Sequence, residues 1–168
     1  IQLAKLWGAT VIAVTSSDSK AELAKSLGAE YVVDAASEDL SKALRDANGG
    51  RGVNLILEMV GGKTFDQSLL ALGTFGKLIT FGMASRTAPT PVHPGSLMHG
   101  SKTISGFWLA NCFGKKEMMN DVIDQLFTLV SDGKLTPVIG GSYPLEQASE
   151  AHLAMLGRST TGKIVLRP

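Results

Sequence analysis

The apolar run Val11–Val14 ends in Thr15, Ser16 and Ser17, and Lys20 follows about one helical turn later. Hydroxyls and a cation gathered at one spot are what a phosphate group takes. Each hydroxyl can donate to an oxyanion, and the ammonium adds charge. A carboxylate at Thr15 would do the opposite: it would repel the anion and accept from the hydroxyls of a bare sugar diol. The nearest acid, Asp18, falls in the first turn of the following helix, where an acid is favoured for its own sake. The same residues have plainer uses. Ser17 or Ser19 can cap the helix, and Lys20 can be a solvated surface charge.

Other chemistries find little footing. "GGKT" (Gly61–Thr64) resembles the end of a phosphate-binding P-loop, but Leu57 stands where that loop needs its first glycine. "NGGRG" (Asn48–Gly52) lies between a helix and a strand and reads as a helix stop with a turn. His93, His99, His152 and Cys112 fall at no metal-ligand spacing, so no metal site is expected. No serine sits in a G-x-S-x-G elbow, and no catalytic residue is assigned in this chain. Cys112, the only cysteine, reads as an unreactive thiol and excludes an internal disulfide.

Three further segments join Thr15–Lys20 as candidates: Met59–Gly62, Phe81–Ala84 and Phe107–Ala110. Each alone has a bland reading, as a turn or, for Phe107 and Trp108, as core. Together they follow four apolar strands, and the carboxyl ends of parallel strands are where open α/β sheets bind ligands.

The elements that must position them are read from periodicity. Apolar strands are predicted at "TVIAV", "EYVVDA", "VNLILEMV", "KLITFG", "KTISGFWL" and "GKIVL". Between them lie amphipathic helices. One opens at a capping box Ser19–Glu22, directs Leu23, Ala24 and Leu27 inward and closes at Gly28. The next carries Leu40, Ala43, Leu44 and Ala47 on one face. "KTFDQSLLALG" is a short helix. A later helix turns Met119, Val122, Ile123, Leu126 and Val130 inward, and "PLEQASEAHLAML" is the last. Between "KLITFG" and "KTISGFWL" runs a long segment, "MASRTAPTPVHPGSLMHG", with three prolines, expected to serve binding rather than connection.

Apolar strands alternating with helices mean a doubly wound parallel sheet of Rossmann type. With hydroxyls, a lysine and no acid after the second strand of such a fold, the expected ligand is NADPH rather than NADH. The first strand and its glycine-rich turn are not found: "IQLAKLWGA" reads as the tail of the helix that would follow them. The strand Val11–Val14 and the strand Val53–Leu57 are therefore expected not to pair directly, with "KIVL" one candidate to fill the gap. The chain has 168 residues, 44% hydrophobic, 18% charged, with a formal net charge of +1. That is a globular composition long enough for a sizeable core, without the basic patch of a nucleic-acid partner. The apolar runs are too short for a membrane span, no signal peptide is read at the start, and the single cysteine fits a reducing compartment. A cytoplasmic location is expected.

The ordered segments "VIAVTSSDSKAELAKSLGAEYVVDA", "GGRGVNLILEMVGG", "LITFGMAS", "GFWL", "YPLEQASEAH" and "TGKIVLRP" resemble the cofactor-binding half of the medium-chain dehydrogenase/reductase superfamily. The resemblance covers nearly the whole chain. It is nearest to the zinc-independent branch of NADPH:quinone oxidoreductases and 2-enoyl thioester reductases. It implies that Ser16, Ser17 and Lys20 hold the adenosine 2′-phosphate, and that Gly61 and Gly62 allow close approach of the cofactor. It places Phe81, Gly82 and Met83 at the nicotinamide end and Phe107, Trp108 and Leu109 along the cleft. Lys163 matches a lysine that reaches the cofactor in some relatives. Ala35 stands where many relatives have Tyr or His. The resemblance further implies a dinucleotide-binding region over residues 1–135 and a segment, 136–168, that returns to a catalytic domain outside this chain. It also implies a homodimer through strand Thr103–Phe107. The implied reaction is NADPH-dependent reduction of a quinone, enone or enoyl thioester. A non-catalytic nucleotide-binding or dimerisation fragment, or the cofactor domain of a zinc-dependent alcohol dehydrogenase, are the alternatives.

Overall fold

A computed structural model describes residues 1–157 and 160–168. The chain divides into two compact units, Ile1–Lys115 and Lys116–Pro168. The first holds parallel strands separated by helices, the Rossmann-like α/β architecture expected. No helix among the described residues is long and apolar enough to cross a membrane.

The first unit opens with α1 (Gln2–Leu6), β1 (Ile12–Thr15) and α2 (Asp18–Ser26). The cap of α2 is Ser17, whose hydroxyl oxygen accepts from Lys20 N at 3.4 Å. This corrects the capping box expected at Ser19–Glu22: the helix starts before Ser19, and Glu22 instead pairs with Lys25 at 3.0 Å. The predicted stop at Gly28 stands. With φ at +101°, Gly28 donates to Lys25 O while Ala29 N reaches back to Ala24 O, the double closure a left-handed glycine permits. β2 (Tyr31–Asp34) pairs with β1 in parallel. α3 (Leu40–Ala47) is capped by Asp39, whose carboxylate accepts from Lys42 N at 2.8 Å.

β3 (Val53–Glu58), β4 (Leu72–Thr80) and β5 (Thr103–Gly106) form a second parallel sheet in that order, with α4 (Gly62–Ala71) crossing from β3 to β4. Among the described residues β1 and β3 share no ladder, as the sequence topology requires. The two sheets are joined by side chains instead. Val33, Leu40, Leu44 and Ala71 form one core, with Ile12, Val53 and Ile56 packed against it; Phe65, Leu72 and Leu78 form another, and Ile56 packs against both. Alternation along β3 leaves Leu55 and Leu57 exposed on the opposite face.

β4 begins at Leu72 rather than Lys77, because Gly73 lets its backbone lie against Gly52 and the ladder shifts register there. The long proline-bearing segment is not structureless: it contains α5 (Pro94–Met98) and is tethered where Asp66 accepts from Thr90 N and Oγ1 at 3.0 and 2.8 Å.

The second unit contains α6 (Asn120–Ser131), β6 (Ile139–Pro144), α7 (Ala148–Leu156) and β7 (Lys163–Arg167). β7 pairs with β6 in parallel, so the "KIVL" segment does not fill the gap beside β1, which corrects that expectation. β6 was not legible because Gly140, Gly141 and Pro144 are poor strand formers. α6 also departs from its reading: none of its residues is buried, and Val122, Ile123 and Val130 stay substantially exposed, its chief neighbour being the short turn Lys116–Met118. The compact units divide before α6, whereas the functional boundary read from the sequence lies at Thr136.

Candidate functional site

β4 and β5 run in register to their carboxyl ends, where Thr80 faces Gly106 and Phe107 N donates to Thr80 O at 2.9 Å. Beyond that point the two chains leave the sheet and a cleft of about 410 Å³ opens between them. It is lined by Thr80, Phe81, Gly82 and Met83 on one side and Gly106, Phe107, Trp108 and Asn111 on the other. Five residues singled out in the sequence, Phe81, Gly82, Met83, Phe107 and Trp108, thus share one wall-to-wall space. Phe107 and Trp108 are 45% and 67% exposed, which rules out the plain reading that they are core. Leu109 opens the 3₁₀ turn Leu109–Cys112; it is exposed and does not line the cleft. Thr80, Gly106 and Asn111 are lining residues that the sequence reading missed.

Behind this cleft lies the turn after β3. Gly61 and Gly62 have φ of +79° and +52°. What approaches them closely is the loop after β4: a Cβ on Gly61 would stand 2.9 Å from Met83 Cγ, and one on Gly62 3.2 Å from Thr87 Cβ. The two loops are laced by backbone hydrogen bonds, Phe81 N to Glu58 O, Ala84 N to Met59 O and Ser85 N to Val60 O. Glu58 also escaped the sequence reading. It is buried, and its carboxylate accepts from Val60 N at 2.7 Å and Gly61 N at 3.0 Å. The available signal was an acid closing a run of apolar strand residues, where burial demands a partner.

At the end of β1, Ser16 and Ser17 are exposed and Lys20 is half-buried. Ser17 Oγ accepts from Lys20 N and lies 3.2 Å from Ser19 Oγ. The cap and the predicted binding group are therefore one hydroxyl: its oxygen serves the helix while its proton is available to a neighbour. A smaller hollow of about 210 Å³ lies between the end of β2 and the start of α4, lined by Ala35, Ala36, Ser37, Leu40, Lys63, Thr64 and Gln67. Ala35, which stands where the family resemblance expects a Tyr or His, is one of its walls. Beneath β1, Glu30 accepts from Lys5 Nζ and from Val11 N (2.7 Å). These bonds, the Lys5 ammonium foremost, hold its carboxyl down at about 2.

Lys163 belongs to the second unit. It opens β7, its backbone N bonded to Val138 O at 2.8 Å. Among the described residues no three His, Cys, Asp or Glu side chains converge into a set that could hold a metal ion.

The donor set suits a dinucleotide. Exposed aromatic and thioether side chains face one another where a flat ring could lie, while hydroxyls, a lysine and a helix amino terminus gather at the end of β1. Comparison with known proteins agrees in extent and in kind. The chain is 33% identical over 162 residues to 2-haloacrylate reductase of a Burkholderia species, covering 96% of this chain and 49% of that protein. It is 32% identical over 170 residues to quinone oxidoreductase 1 of Escherichia coli, covering 99% and 52%. It superposes with a TM-score of 0.88 on a mycobacterial protein solved in complex with NADPH, at 34% identity, covering 99% and 52%. The chain spans about half the length of the curated relatives it matches. Residues 1–128 match the family described as zinc-binding dehydrogenase, and the chain accordingly belongs to that family, the cofactor-binding half of the medium-chain dehydrogenase/reductase superfamily.

Proposed function

We propose that this chain is the cofactor-binding half of an NADPH-dependent oxidoreductase that reduces a conjugated electrophile, a quinone, an enone or an enoyl thioester. One observation carries the reading: Phe81, Met83, Phe107 and Trp108 converge on a single cleft at the carboxyl edge of β4 and β5. The relatives named for 2-haloacrylate and quinone reduction support it, since both substrates present an electron-poor conjugated bond. NADPH, when bound, supplies the hydride; the protein contributes position and electrostatics.

In this reading the rings of Phe107 and Trp108 and the Met83 side chain exclude water from the nicotinamide face. Gly82 lines the cleft with its backbone and fits against Met59 O, and Gly61 and Gly62 allow the supporting turn to stand close behind. Leu109 extends the apolar rim. Ser16 and Ser17 donate to the 2′-phosphate and Lys20 neutralises it. Proton delivery and substrate selection belong to residues outside this chain, and no zinc takes part. The free edge of β5, which pairs only with β4 among the described residues, joins a second copy in an antiparallel homodimer. The working compartment is the cytoplasm, with no membrane or nucleic-acid partner.

The test is titration with NADPH and NADH, followed by quenching of tryptophan emission, for the wild type and Thr15→Asp. The wild type binds NADPH more tightly, and Thr15→Asp shifts the ratio toward NADH by about tenfold or more, as expected when a carboxylate replaces a phosphate-compatible neutral group. An unchanged ratio refutes the cofactor assignment.

A further inference from the structure

We propose that Glu58 is a positioning residue that sets the shape of the cleft from behind, without touching what the cleft holds; the proposal deepens the cofactor reading above and rests on it. Glu58 is 3% exposed, and among the described residues no cation pairs with its carboxylate. A buried acid is costly unless hydrogen bonds satisfy it. Here they come from its own turn: Oε1 accepts from Val60 N at 2.7 Å and from Gly61 N at 3.0 Å, and Oε2 lies 3.3 Å from Gly61 N. The turn is thereby fixed on the end of β3.

The turn itself holds the loop that enters the cleft. Its carbonyls at Met59 and Val60 accept from Ala84 N and Ser85 N at 2.9 and 2.8 Å, and Glu58 O accepts from Phe81 N at 2.9 Å. Gly82 fits against Met59 O so closely that a Cβ there would be 3.0 Å away. Met83, a cleft wall, rests on Gly61, which Glu58 holds by its N–H. The carboxylate thus fixes the turn, the turn fixes the loop 81–85, and the loop presents Phe81 and Met83. The ladder of β1 with β2, where the 2′-phosphate residues sit, has no part in this chain of contacts.

The experiment compares the full wild-type chain with Glu58→Ala, Glu58→Gln and Glu58→Asp by amide hydrogen exchange without nucleotide. In Glu58→Ala the amides of Ala84 and Ser85 should exchange about tenfold faster or more, because the turn whose Met59 and Val60 carbonyls accept from them loses the side-chain bonds to Val60 N and Gly61 N that hold it. The amide of Ala35, which donates to Thr15 O at 2.7 Å in the other sheet, should not change. Glu58→Gln keeps an acceptor oxygen and should restore protection. Glu58→Asp, shorter by one methylene, should fall between, and it decides the matter if the alanine variant does not fold. A second measurement uses binding: Glu58→Ala should lose about tenfold for NADPH and nothing for adenosine 2′,5′-bisphosphate, which lacks the nicotinamide. Unchanged exchange at Ala84 and Ser85, or equal losses for both nucleotides, overturns the proposal. If the wild type binds neither nucleotide, the cofactor reading fails on its own, and the exchange data still decide whether Glu58 positions the loop.

Discussion

Replacing Gly61 with alanine tests whether the turn behind the cleft is as constrained as its geometry implies. Gly61 has φ of +79° and ψ of −168°, a region that essentially only glycine enters. Holding alanine there costs about 1–3 kcal/mol of backbone strain. The new Cβ would also stand 2.9 Å from Met83 Cγ and 3.1 Å from Thr87 O. Met83 can swing aside, but the Thr87 carbonyl is backbone and must shift, so the total is about 2–4 kcal/mol. Gly8 supplies the control. It shares φ of +79°, yet nothing lies within 4 Å of its added Cβ, so Gly8→Ala bears only the left-handed penalty of about 1 kcal/mol. Both tryptophans, Trp7 and Trp108, lie in the unit Ile1–Lys115, so their emission during urea denaturation reports that unit alone. The midpoint shift at constant slope gives the stability change. A Gly61→Ala variant no less stable than Gly8→Ala would refute the claim that the turn and the loop after β4 are fitted to each other.

Glu30 has a folded pKa of about 2 against an ordinary 4.5, so its bonds to Lys5 and Val11 stabilise the fold fully above pH 4.5 and progressively less as pH falls toward 2. The urea midpoints of wild type and Glu30→Gln should therefore differ at pH 7 and converge near pH 2. Phe75 is held at φ of +59° with a side chain 75% exposed, so Phe75→Gly should raise stability by about 0.5–1 kcal/mol; a loss would show that the ring packs usefully. Leu78 is fully buried between α4 and the sheet, and Leu78→Ala should cost about 3–5 kcal/mol by the same denaturation assay.

The strands and their faces were legible because burial imposes period: the apolar runs at Ile12–Thr15 and Val53–Glu58 could be read as little else. The aromatic half of the cleft was legible for a related reason, since strand ends in such a sheet all point to one edge. What escaped is what depends on contacts between loops. Glu58 looks from the sequence like any acid after a strand; only the fold turns its carboxylate back onto Val60 and Gly61. Gly61 and Gly62 were recognised as permissive, yet not that their freedom is taken up by Met83 and Thr87. β6 escaped for an opposite reason: its glycines and proline argue against a strand, and pairing with β7 overrides them. The cap of α2 was misplaced because two serines two positions apart, Ser17 and Ser19, offer the same oxygen, and backbone geometry alone chooses between them.

The two corners of the candidate site ride on different backbone ladders. The residues that would grip an extra phosphate follow β1, which pairs with β2, while those that would receive a flat ring follow β4 and β5. A nucleotide reaching both would therefore touch two ladders at once, and a fragment of it that reaches one corner alone should be felt by that ladder's amides and not by the other's.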